Sequence, residues 1–332
     1  MDTIPDYENI TELDISNRGL DKLPDDLRKY TNLKILNCSN NNLTYCNKDQ
    51  LPDGLIELNC SNNYGLIHLD DLPQSLEKLI CRFEDRPLIH TIQLTRLDKL
   101  PLNLTYLDCS VNDDYTFFGK IEQLDNLPPN LTYLDCTSNA IQKLEHLPPN
   151  LKILICRKMG YNRDRYTETD PDDENDYVHT IDYDDIPRLN QLDNLPIGLE
   201  ILECSENDKI IQLDNLPPGL LELDCSHCSI IQLDNLPQSL TKLNSSINKI
   251  TTLDNLPYGL EYLDCSANEI TQLDNLPRSI KKLYCNFNRI KTLNNMPLSV
   301  EVLRCGANPL EYEFECSLNN IKKHIKRLQK MK

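Results

Sequence analysis

Fourteen cysteines and six histidines are the side chains best suited to chemistry in this chain, as metal ligands, redox pairs or nucleophiles. Cys225-Ser226-His227-Cys228 has the spacing of a thiol redox or metal pair. Asp193, Asp214, Asp234, Asp254 and Asp274 recur within Leu-Asp-Asn-Leu-Pro, and a stack of carboxylates offers oxygen ligands to Ca²⁺. The same aspartates can instead hydrogen-bond their own turns, with their repulsion screened by solvent. The histidines (His68, His90, His146, His179, His227 and His324) are scattered, none beside a Ser or Cys nucleophile in an activating motif. No glycine loop suited to phosphate is present. These observations imply no catalytic residue, no metal and no cofactor.

What must position these groups is a repeat. From Leu220 to Val300 the chain reads close to L-x-x-L-x-C-S-x-N-x-I-x-x-L-D-N-L-P-x-x every twenty residues. A period of that length dictates a stacked solenoid. Working outward gives thirteen coils, opening at Ile10, Leu33, Leu55, Leu76, Leu104, Leu131, Leu151, Leu199, Leu220, Leu240, Leu260, Ile280 and Val300. Position 4 is leucine in all of them. Position 6 is cysteine in eleven, from Cys38 through Cys305, with Ile15 and Ser245 as the exceptions.

Positions 3 to 7 alternate outward and inward as a short strand does, so positions 4 and 6 enter the core. The position-6 cysteines then stack as small buried apolar groups. Cys46 and Cys316 fall off this row and are expected to be the reactive thiols. The asparagine at position 9 is expected to satisfy backbone groups where the strand ends. The Leu-Pro that follows favours an extended, polyproline-like return.

The L-x-x-L-x-C-x-x-N-x-I core is identified as that of the leucine-rich repeat family. Its Leu-Pro-x-x-Leu return resembles the short bacterial class found in secreted effectors of enteric pathogens. The Cys-Ser-x-Asn-x-Ile and Leu-Asp-Asn-Leu-Pro wording is similar to leucine-rich repeat proteins of giant amoebal DNA viruses. The resemblance implies a mostly β, α/β repeat solenoid: a horseshoe with a parallel concave sheet, an extended convex side, and protein recognition on the concave face. It also implies that cysteine at position 9, as at Cys228, substitutes for the asparagine. Some bacterial effectors with similar repeats carry a separate ubiquitin-ligase domain, which has no counterpart in this sequence.

Four features depart from the period. An acidic insertion at 160–187, carrying Asp170, Asp172, Asp173, Glu174 and Asp176 among others, reads as a mobile loop. The coils from Leu76 and Leu151 echo each other, with Ile80-Cys81-Arg82 and Ile89-His90-Thr91-Ile92 in one, and Ile155-Cys156-Arg157 and Val178-His179-Thr180-Ile181 in the other. Their insertions either cover Ile80, Ile153 and Ile155 or leave them as an apolar patch that marks a binding site. Pro24 to Tyr30 suggests a short convex helix. Ser317 opens a helix running to about Lys330, whose stripe of Leu318, Ile321, Ile325 and Leu328 caps the last coil. The domains expected are therefore a solenoid over 1–316 and a capping helix over 317–332.

The outward strand positions carry the functional expectation: Tyr106, Asp108, Tyr133, Asp135, Ile153, Ile155, Glu203, Glu222, Asp224, Tyr262, Asp264 and Tyr284. Tyrosine offers contact area with a polar tip, and carboxylates attract lysine or arginine, so a protein with a basic or mixed surface is the expected partner. A structural or assembly component of a virus particle, with contacts through edges and caps, is the alternative. A net charge of −18 argues against nucleic acid and anionic lipid. The N-terminal sequence has no basic and apolar leader, and no apolar run is long enough to span a bilayer, so a cytoplasmic location is expected.

Overall fold

Position 4 is the pivot of every coil. In a computed structural model, which describes residues 7–69, 71–84, 94–97, 99–112, 121–159 and 188–331, that leucine is the centre of a three-residue strand. The first strand is Glu12–Asp14 and the last Val302–Arg304. Thirteen such strands form one parallel sheet in chain order, each coil pairing with the next. The register never slips: Leu13 faces Leu36, Leu223 faces Leu243, and Leu283 faces Leu303. One slipped residue would turn a row of leucines toward water, so the alternation itself fixes this pairing. The sheet lines the concave side of a horseshoe.

The interior is one continuous cluster running from Ile15 to Ile325. Leucines at position 4 are buried except at the two ends, where Leu13 and Leu303 are only partly covered. The cysteine row does more than fill space. Cys38, Cys109 and Cys265 donate from Sγ to the position-5 carbonyl of the following coil at 3.3–3.4 Å. Ser245 makes the same bond through Oγ to the carbonyl of Asp264 at 3.3 Å, which explains why serine can stand in the row.

The asparagine at position 9 binds across two coils. Asn41 Nδ2 donates to the carbonyls of Ile15, Cys38 and Ser39, while its Oδ1 accepts from the N–H groups of Arg18 and Leu20 in the coil before. Asn248, Asn268 and Asn288 repeat the pattern. Three coils precede one that lacks this asparagine, and two of them, from Leu55 and Leu199, have an inserted residue that closes a local turn instead. Leu66 N–H bonds to Asn63 O, and Ile210 N–H to Asn207 O, each at 3.0 Å. Cys228 does substitute for the asparagine, but weakly, through Sγ to the carbonyls of Cys204 and Ser226.

The return is extended between two tight turns rather than uniformly polyproline-like. The asparagine of Leu-Asp-Asn-Leu-Pro takes a left-handed conformation, as at Asn215 and Asn235, a region asparagine tolerates well. Each Pro-x-x-Leu then closes a turn, for example Leu220 N–H to Pro217 O at 3.1 Å. The convex helix expected from Pro24 to Tyr30 is a single 3-10 turn, Leu27–Lys29. The C-terminal helix, Leu318–Met331, begins at Ser317 as expected and buries Ile321 and Ile325. It packs beside Tyr312 and Phe314, whose rings lie against His324. Strand Val302–Arg304 keeps a part-exposed Leu303, and Cys305 is half-buried, so the cap covers less of the last coil than the apolar stripe implies.

The thiols have a testable consequence. Cys316 is exposed, whereas Cys46, expected to be reactive, is buried. A hydrogen bond with Cys38 and then burial hold the Cys46 thiol far above its ordinary range. Burial does the same for Cys60, Cys81 and Cys204. The thiolate is the nucleophile, so iodoacetamide on the native chain should modify Cys316 quickly and Cys305 slowly. Mass spectrometry should find the other twelve unmodified until denaturant is added; early loss of Cys46 would contradict this packing.

Candidate functional site

Four residues expected on the concave face converge, and the structure adds groups to them. Strands Tyr106–Asp108 and Tyr133–Asp135 are neighbours, with Tyr106 opposite Tyr133 and Asp108 opposite Asp135. The two tyrosine rings stack in parallel at 4.1 Å between centroids. Ser110 and Thr137 follow at position 7, and the flanking coils supply Arg82 on one side and Arg157 on the other. Together they line a groove of about 510 Å³.

The position-5 carboxylates are not wholly free for a partner. Asp108 Oδ1 accepts from Ser110 N–H at 3.1 Å and Ser110 Oγ at 2.6 Å, and Asp108 is only 5% exposed. Asp135 accepts from Thr137 N–H at 3.0 Å, Asp224 from Ser226 at 3.0 Å and Asp264 from Ser266 at 2.9 Å. Asn37, Asn59 and Asn244 make the same bond, so this side chain first shapes the turn after each strand. The Asp-Cys-Ser and Asn-Cys-Ser triplets are the sequence signal for it.

Most other charges on the face are paired between coils. Glu57 meets Lys78 at 2.9 Å, Glu222 meets Lys242 at 2.8 Å, and Glu203 meets Arg157 at 3.3 Å. Arg82 reaches Glu84 at 3.0 Å and Asp108 at 3.8 Å. Such exposed pairs contribute little stability, on the order of 0–1 kcal/mol each, but they make the face mixed rather than acidic. Asp135 has no ion pair among the described residues, and neither do Asp224 and Asp264, which hold their turns in the same way.

Burial raises the Asp135 carboxyl above its ordinary value; the bonds from Thr137 oppose the rise, neighbouring Asp108 adds to it, and the charge of Arg157 offsets part of it. Between its unfolded and folded values the folded chain therefore holds the extra proton. The stability this group contributes is present below about pH 3.9 and is lost as the pH climbs through the raised value. Asp135→Asn should accordingly melt higher than the parent at neutral pH, with the advantage shrinking in acid. A scan of melting temperature against pH checks it, and a lower melting point at pH 7 would count against it.

The remaining expected positions are dispersed. Ile153 is half-buried and Ile155 only 9% exposed, so the two do not form an open apolar patch. The insertions that would cover them, with His90 and His179, lie outside the described residues. Tyr262 and Tyr284 meet edge to face at 5.5 Å, and Arg304 lies over the Tyr284 ring at 5.0 Å. Burial and then Asp264 push the Tyr262 hydroxyl up to about 12. This second cluster begins five strands beyond Tyr133, roughly 24 Å at ordinary strand spacing, so it is separate from the groove. The Cys225 and Cys228 thiols are buried, and burial raises both, that of Cys228 to about 12, which leaves them poor ligands and nucleophiles. On the convex row Asp254 and Asp274 accept from Asn275 and Asn295 of the next coils, joining turn to turn.

No family model and no curated protein matches this sequence. Solved structures do. YopM from Yersinia enterocolitica is 30% identical over 90% of this chain and 70% of its own, with a TM-score of 0.49. An internalin from Listeria monocytogenes is 16% identical over 95% and 86%, with a TM-score of 0.58. A functional domain of InlJ from Listeria monocytogenes, described as including a cysteine ladder, is 23% identical over 82% and 61%, with a TM-score of 0.50. The chain belongs to the leucine-rich repeat family: its repeat wording and the 30% identity carry the membership, and the internalin likeness carries the fold.

Proposed function

We propose that this chain is a non-enzymatic, cytoplasmic protein-binding module whose partner seats on the concave face over Tyr106 and Tyr133. The observation that carries this reading is the stacked, half-exposed tyrosine pair in the floor of a formed groove. Two rigid aromatic rings offer large contact area at little entropic cost, and tyrosine is enriched where interfaces concentrate their energy. The mixed charge of the surrounding rows suits a partner surface with both signs, and the overall acidity favours a protein over nucleic acid. All fourteen cysteines are free thiols, which fits a reducing compartment. Among the described residues the groove holds no histidine and no cysteine, so it offers acids, hydroxyls and arginines for recognition rather than a nucleophile with its base.

The test is affinity capture with the parent chain and with Tyr106→Ala/Tyr133→Ala. Both rings stand outside the core, so the double variant should melt close to the parent while its stoichiometric partner is lost. A partner retained in full by the double variant would remove the concave face from the reading. Retention together with loss on changing the edges or the C-terminal helix would favour the assembly component.

A further inference from the structure

We infer that the groove between Arg82 and Arg157 is a receptor for one guanidinium, an arginine side chain of the partner seated on the Asp108–Asp135 pair with its stem along Tyr106 and Tyr133. The inference rests on the protein-binding reading and names the chemistry of its central contact.

Three observations point to a cation of that shape. Three glutamates of this face are matched to cations of adjacent coils: Glu57 to Lys78, Glu203 to Arg157, Glu222 to Lys242. The position-5 aspartates are held by their turns instead, and Asp135, like Asp224 and Asp264, has no cation in contact among the described residues. Arg157, in the next coil, turns to Glu203 instead, and one Asp135 oxygen is left toward the groove with Asp108 beside it. Second, the site already shows what Asp108 accepts: the Arg82 guanidinium approaches it at 3.8 Å, too far for a tight pair. Carboxylates on neighbouring parallel strands stand about 4.8 Å apart at the backbone, a pair that a planar fork meets with several directed bonds and an ammonium only as a point charge. Third, the tyrosines give the stem and the positive plane an aromatic wall. The chain uses that contact elsewhere, with Arg304 over Tyr284 at 5.0 Å, and Lys78 already lies over the edge of this wall, 5.3 Å from the Tyr106 ring centre.

A charged carboxylate held partly out of water with no cation in contact, and only Arg157 offsetting it from a distance, is destabilising to the free protein and becomes an attraction once a cation arrives. Burial and Asp108 raise the Asp135 carboxyl, in keeping with that state.

The experiment uses the full chain with ring-labelled tyrosine and four acetylated, amidated tripeptides, Gly-X-Gly with X arginine, citrulline, lysine or glutamate, followed by NMR. The arginine peptide should shift the Tyr106 and Tyr133 signals with a dissociation constant of order 1 mM. Citrulline, the uncharged near-isostere, should bind roughly tenfold or more weakly, and lysine should fall between them. Asp135→Asn should weaken the arginine peptide roughly tenfold. This variant keeps the turn, because Asn37, Asn59 and Asn244 make the same bond to their position-7 residues. Asp108→Asn is the second variant, with a similar loss expected. Citrulline or lysine equal to arginine, a preference for glutamate, or no shift at either tyrosine would each overturn the assignment. A captured partner lost with Tyr106→Ala/Tyr133→Ala but kept by Asp135→Asn would leave the binding face standing and sink the arginine contact alone.

Discussion

Asn63→Ala should cost about 3–5 kcal/mol, far more than its small change in volume suggests. Asn63 is fully buried. Its Oδ1 accepts from Leu43 N–H at 2.9 Å, and its Nδ2 donates to the carbonyls of Cys38 at 3.1 Å and Cys60 at 2.9 Å. Alanine strands the Leu43 N–H and the Cys60 carbonyl where water cannot reach, at roughly 1–3 kcal/mol for each group left unpaired, while the Cys38 carbonyl keeps its bond from Asn41. The loss should fall mostly on the junction between the coils from Leu33 and Leu55, because a solenoid's stability is a sum of nearest-neighbour terms. Thermal melting should therefore become broader or two-stepped as well as lower. Asn308→Ala is the internal comparison: Asn308 makes matching bonds to Cys285 and Cys305 but lies in the last, part-exposed coil, where water can replace them. A loss at Asn63 no larger than that at Asn308 would show that the asparagine row is not what ties the coils together.

That row was legible in the sequence because its period, polarity and place after the strand leave a buried amide one role. Strand position and parallel order were legible for the same reason: position 4 is leucine in every coil, and all thirteen strands centre on it. The position-5 carboxylates were misread in part. Outward direction alone suggests a free charge, but Asp108, Asp224 and Asp264 each hold the turn that follows, and only the serine two residues on reveals it. Cys46 was misjudged because lying off the row says nothing of how the neighbouring coil covers it. Arg82 and Arg157 were visible as an echo between two coils, yet their meaning depends on four coils stacking so that both flank one groove. Non-local neighbours of that kind follow from the fold and cannot be read along a single repeat. Position 8 shows a further departure. Asn17, Asn40 and Asn62 take the left-handed conformation there at little strain, whereas Ile247 and Phe287 adopt it at φ 55° and 54°. A β-branched residue in that region is strained, and nothing in the structure explains the choice.

Ile321→Asp/Ile325→Asp should release the C-terminal helix and unprotect the coils beneath it without melting the rest. Both isoleucines are almost wholly buried, and Ile325 with Leu328 closes a groove against Leu276, Met296 and Leu298 on the convex side. An aspartate at either place would need a buried charge with no cation to meet it, and releasing the helix costs less than that. The helix owes its order to this contact: it is fourteen residues long, near the length at which isolated helices are marginal, and its other face is crowded with Lys322, Lys323, Lys326 and Arg327. Once it leaves, the half-covered Leu303 and the Val300 row meet water, and fraying should travel inward one coil at a time. The array is quasi-one-dimensional, so coils near Leu131 and Leu151 should keep their amide protection while those from Ile280 onward lose it. Hydrogen exchange resolved by peptide reads this gradient directly. Uniform loss of protection from Ile10 to Val300 would mean that the helix supports a cooperative whole, and that the coils do not add as neighbours.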